Sequence, residues 1–188
     1  MSESRRRRRG GRSEVAVKRL TLCIVLAVLA AFAALALAPA SARATSMTKP
    51  EKQMLALINH TRAKHGLHKL KMVNTLERAS RSHSREMVSR AYFSHSSFNG
   101  ESFGARLIRF GYTTSGCTRW TVGEDIACGY GPGATVKAIF RAWWHSPAHR
   151  RVILTKSFRN VGIGRATGTV RGISGMVFFT LDCGARTR

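Results

Sequence analysis

Acidic residues are scarce in this chain: nine Asp and Glu stand against 32 Lys and Arg in 188 residues, giving a net charge of +23. A surface of that sign favours anionic partners, such as phospholipid headgroups, acidic envelope polymers or, without specificity, nucleic acid. Only four prolines occur beside 44% hydrophobic residues, which excludes a low-complexity chain. No Gly-x-Ser-x-Gly elbow and no His-Glu-x-x-His is present, and the cysteines carry no papain-like signature. Those absences remove the usual sequence grounds for a hydrolase. There is no internal repeat.

What is present begins with a targeting segment. Arg5 to Arg9, Arg12, Lys18 and Arg19 precede an uncharged apolar stretch, Leu20 to Ala38, and Ala42-Arg43-Ala44 offers small residues at signal-peptidase spacing. Cleavage is expected after Ala44. The alternative is an uncleaved anchor, because nineteen apolar residues nearly span a bilayer and the arginines would hold the N-terminus inside. Seven of the nineteen are alanine, a weak driver of insertion, which favours cleavage. Cys23 lies too early, and follows Leu22, for a lipoprotein signal. Either way the rest of the chain is exported, as a secreted protein or one held at the outer face of the membrane. That remainder carries 23 basic and seven acidic residues, a net +16.

Beyond a short linker at 45–50, residues 51–185 have the length of one domain. Glu51 to His65 carries Met54, Leu55, Ile58 and Arg62 at helical spacing and closes on Gly66. A second helix is expected from Asn74 or Thr75 to about Tyr92-Phe93, with Leu76, Ala79, His83 and Met87 on one stripe, and a short third over Ser102 to Phe110. Thr121 to Ala127 reads as a strand, followed by a glycine-rich turn and a helix from Ala134 to Trp144. Ser146-Pro147 looks like an N-cap and first helical residue, opening a helix to about Leu154. Asn160 to Ala166 and Gly175 to Asp182 suit an antiparallel hairpin with a long connection. Helices flanking a small antiparallel sheet make an α+β domain.

Four segments then fall in register: Phe93-Ser94-His95-Ser96, Gly123-Glu124-Asp125-Ile126-Ala127, Trp143 with Ser146-Pro147-Ala148-His149-Arg150, and Phe158 with Val161-Gly162-Ile163-Gly164. With Leu57-Ile58-Asn59 and Arg62, they resemble the bacterial branch of the CAP superfamily, which groups cysteine-rich secretory proteins, antigen 5 and plant pathogenesis-related proteins. The resemblance covers about residues 50 to 184. It implies an α-β-α sandwich whose groove is lined by two histidines, here His95 and His149, and by a glutamate, here Glu124. The second glutamate of some members is replaced by Ser146.

His95, Glu124 and His149 admit three readings. They hydrogen-bond one another as a structural pin, they hold a ligand or a divalent cation such as zinc with no cofactor strictly required, or they form an acid-base set. His83 and Glu86 share a helix face and suit a solvated pair. Trp120, Trp143 and Trp144 suit core packing better than a carbohydrate platform. After the leader three cysteines remain, so at most one bridge can form. An extended Thr121 to Ala127 separates Cys117 from Cys128 beyond disulfide reach. The resemblance singles out Cys128 and Cys183, since the family usually has aromatic residues at both positions.

The function expected is therefore an exported, monomeric, non-enzymatic binding module. Its groove would take a lipid, sterol-like or cell-wall ligand, and its basic surface would hold it at an anionic membrane or cell-wall polymer without specific nucleic-acid recognition. The alternatives are a hydrolase, metal-assisted or using His/Glu acid-base chemistry, and an interaction protein with an inert groove.

Overall fold

The computed structural model describes residues 46–187. The apolar stretch, the cleavage site and Cys23 lie outside the described residues. The elements in chain order are α1 (Lys49–Lys64), β1 (Lys71–Met72), α2 (Asn74–Ser89), α3 (Phe103–Arg109), β2 (Arg119–Gly129), a 3-10 turn (Gly131–Ala134), α4 (Val136–His145), α5 (Pro147–Leu154), β3 (Asn160–Val170) and β4 (Ile173–Thr187). The strands form one sheet in the order β1-β3-β4-β2. The long three are antiparallel, whereas β1 pairs with β3 in parallel, so the sheet is mixed rather than purely antiparallel.

The period-2 alternation of β4 sorts its side chains between two helical layers. Val177, Phe179, Leu181 and Cys183 pack with Met54 and Ile58 of α1, Ile139 and Trp143 of α4, and Ile153 of α5. On the other face, Thr180 and Asp182 meet α2 through Ser84 (2.9 Å) and Ser80 (2.6 Å). Here α2 presses directly on β3. A Cβ on Gly162 would overlap the backbone of Leu76 and Glu77, and one on Gly164 that of Ser80 and Arg81. The glycines are thus a fitted seat for the helix.

Local chemistry ends the elements where they end. Glu51 reaches back to the Thr48 N–H (2.7 Å) at the start of α1, with Pro50 in the first turn. The helix stops in a Schellman motif, with Gly66 at φ 67° and Leu67 N–H donating to Arg62 O. The same motif, built on Ala91 at φ 53°, ends α2 at Ser89 and not at Tyr92-Phe93. That early stop frees the segment that follows to form a loop. Likewise β3 and β4 are longer than expected and joined tightly. Val170 pairs with Ile173, and Arg171 (φ 50°) and Gly172 (φ 80°) supply the two positive φ values of a type I′ hairpin.

Two polar residues noted in the opening motif staple α1 to the rest. Asn59 exchanges two hydrogen bonds with the backbone of Leu70 (2.8 and 3.0 Å). Fully buried Arg62 donates to the carbonyls of His68, Ile153, Thr155 and Phe158, satisfying orphan acceptors at the C-terminal end of α5.

Cys128 and Cys183 do not pair; Cys117, Cys128 and Cys183 are all free thiols. In the β2–β4 ladder Cys183 lies opposite Gly123, and Cys128 lies opposite Phe178. Five residues of extended chain, roughly 17 Å, separate the two levels, far beyond disulfide reach.

Candidate functional site

The loop after α2 carries His95, and it is pinned from two sides. Buried His83 on α2 bonds the Ser94 carbonyl through Nε2 (2.8 Å), while Arg106 on α3 donates to the His95 carbonyl (3.3 Å) and to Ser97 Oγ (2.9 Å). His83 and Glu86 are therefore not a solvated pair. Glu86 accepts from the Tyr92 hydroxyl (2.6 Å), and burial lowers the pKa of His83, which keeps the ring neutral.

Glu124 is buried on β2, with both carboxylate oxygens engaged. His95 Nδ1 meets Oε1 at 2.8 Å, and the Arg106 guanidinium donates to Oε2. Arg106 is 1% exposed, so its charge and that of Glu124 are matched inside the protein. The sequence offered no mark for Arg106. It is one cation among 32, on a short helix with no acid at helical spacing.

A second buried acid also joins the site. Asp182 on β4 is the cross-strand neighbour of Glu124 and has no solvent exposure. Ser80 Oγ donates to its Oδ2 (2.6 Å), and Oδ1 has no cationic or amide partner. Burial and the adjacent Glu124 push the Asp182 carboxyl well above the usual range. A signal existed: an aspartate alternating with Thr180 in the apolar run Val177 to Cys183. Asp125 points to the opposite layer. Its Oδ2 lacks a partner, and burial together with Glu124 drives its pKa up to about 8.

His95 and His149 line one groove of about 500 Å³, closed below by Ile126, Ala127 and Cys128 and flanked by Phe93. His149 reaches it from α5. Its Nδ1 is buried without a partner, and burial followed by the charge of His95 lowers its pKa. Ser146 is not among the lining residues; it serves as the N-cap residue of α5. A cation site is one of the three readings open to His95, Glu124 and His149. Among the described residues no three His, Cys, Asp or Glu side chains are grouped so as to hold a metal ion. Both oxygens of Glu124 already have partners, Oε1 in His95 and Oε2 in Arg106. Of the tryptophans, Trp143 is core and donates from Nε1 to Ile126 O (3.2 Å). Trp144 is half-buried at the surface between His65, Phe140 and Arg150.

Comparison with known proteins places this geometry. The cysteine-rich secretory protein (CAP) family profile matches residues 55–183. An uncharacterized protein of Bacillus subtilis strain 168, YkwD, is 33% identical over 135 residues, covering 68% of this chain and 49% of that protein. The chain thus spans about half the length of that relative. Among solved structures, an extracellular protein containing an SCP domain from Bacillus anthracis superposes with a TM-score of 0.58 at 26% identity, over 72% of this chain and 40% of the other. An outer surface protein from Borrelia burgdorferi superposes with a TM-score of 0.62 at 18% identity, over 76% and 96%, a likeness of fold.

Proposed function

This chain belongs to the cysteine-rich secretory protein (CAP) family, and from that premise we propose that it is an exported binding module whose groove holds a ligand without transforming it. One observation carries the reading: the carboxylate behind the groove, Glu124, is bound on both oxygens, by His95 and by Arg106, and so serves as a fixed support rather than a free base. The lining residues include no acid, and the groove's thiol, Cys128, is pushed upward by burial, away from the thiolate that a nucleophile requires. What faces the ligand is an apolar wall with two imidazoles, suited to a lipid, sterol-like or cell-wall ligand.

Export as a secreted or membrane-held protein is supported by the basic and apolar N-terminal sequence and by the likeness to an extracellular SCP-domain protein. The surplus of cations would retain the protein at an anionic membrane or wall polymer. A hydrolytic reading has one observation in its favour, the His95–Glu124 pair at 2.8 Å, which has the form of a base with its orienting acid.

Native mass spectrometry of protein extracted from its source, compared with His149→Trp, tests the binding reading. A co-purifying mass is expected on the wild type and absent from the variant, with the melting temperature of the two alike. Turnover of a peptide or ester substrate that disappears in His95→Gln would decide for the hydrolase.

A further inference from the structure

β2 is an edge strand, paired with β4 alone, and the groove runs along its open side. The ladder fixes which backbone groups are spare. Thr118 N–H donates to Thr187 O and Arg159 N–H to Gly184 O, so odd residues of β4 face β2 and even ones face β3. On β2 the odd positions therefore bond β4, and Glu124, Ile126 and Cys128 turn their backbone outward. The capture of Ile126 O by the Trp143 indole agrees. Among the described residues, no backbone bond from outside the sheet reaches the N–H of Ile126 or the backbone groups of Cys128. No proline and no register shift blunts β2 there, unlike most edge strands.

The surroundings select by charge and shape. A second hollow of about 150 Å³ shares Phe93 and Cys128 with the first and extends the groove to Arg171. No acidic residue lines either hollow; Arg171 supplies a fixed cation, His95 and His149 supply ring nitrogens, and the one acid beneath, Glu124, is neutralised by Arg106. Phe93, 51% exposed between the two hollows, offers an apolar contact for alternate side chains of an extended chain.

From this geometry we infer that the groove takes an extended acidic peptide, which adds as a strand to the Ile126–Cys128 edge of β2. Its carboxylates meet His95, His149 and Arg171, and its backbone supplies the partners that the edge lacks. The inference rests on the groove being a ligand site and narrows its occupant to a peptide in place of a lipid or sterol.

The test uses the full chain and a fluorescein-labelled hexapeptide of alternating Glu and Val, read by anisotropy, with the alternating Lys and Val hexapeptide as charge control. Two further isomers carry N-methyl groups on only the Glu amides or only the Val amides. Because a strand offers alternate residues to each side, one isomer is expected to lose about tenfold in affinity and the other to stay within about twofold. Cys128→Pro, which deletes an outward N–H and spares the ladder to β4, should mimic that loss. Equal effects of the two methylations, or equal binding of the Lys peptide, overturn the inference, and loss of that same binding in His149→Trp then shows the ligand groove intact. Failure of every peptide to bind overturns it too, and leaves the groove to be judged by whatever co-purifies.

Discussion

At the scale of single residues, the site is a problem of charge burial. Glu124 answers the charge of Arg106, so Glu124→Gln leaves a guanidinium buried without its anion. The expected loss is about 3 kcal/mol by chemical denaturation, with the same midpoint change with or without added zinc. A zinc-dependent midpoint in the wild type that the variant lacks would instead restore the cation site. Asp125 behaves in the opposite sense. Its carboxyl titrates near 8 in the folded protein and near 4 when unfolded, so the folded state holds the extra proton. Its contribution is full below about pH 4 and fades as pH rises toward 8. Asp125→Asn should therefore flatten the stability profile, with the variant gaining on wild type by up to roughly 4 kcal/mol between pH 5 and pH 9. Parallel profiles would show that Asp125 keeps its proton throughout or is not buried.

At the scale of elements, the seating of α2 on β3 fixes where the His95 loop begins. Gly164→Ala must push the helix off the strand, at a cost of about 1–3 kcal/mol in stability, and should loosen the Ser80–Asp182 contact, because Ser80 is the residue whose backbone the new Cβ meets. An unchanged midpoint would mean that the helix slides freely. Much of this layer was legible in the sequence, because apolar periodicity marks α1, α2 and α4 and the Ser-Pro pair marks α5. The boundaries were less so. Ala91 stops α2 without glycine, and Arg171 opens a tight hairpin where the sequence suggested a long connection, since positive φ at such residues follows from tertiary fit. The two-residue β1 has too little sequence to show a period. In the site, His95, Glu124 and His149 were legible from short motifs. Arg106 and Asp182 were not, because a buried ion pair across 18 residues and a carboxyl pair across two strands are made by topology rather than by spacing.

At the scale of the whole molecule, the surplus of positive charge should govern where the protein rests. Sedimentation with vesicles rich in anionic phospholipid should fall steeply between low and physiological salt, as the screening length shrinks to about 8 Å. Binding indifferent to salt would place the attraction in the apolar groove instead. The three free thiols have a consequence of their own. Cys183 is sealed between the sheet and α1, with its pKa raised by burial, while Cys117 and Cys128 lie at opposite ends of the β2 path. None of the three braces the fold. The described domain therefore owes nothing to an oxidising milieu: it reaches its native state with its thiols reduced, needing no thiol oxidant or isomerase.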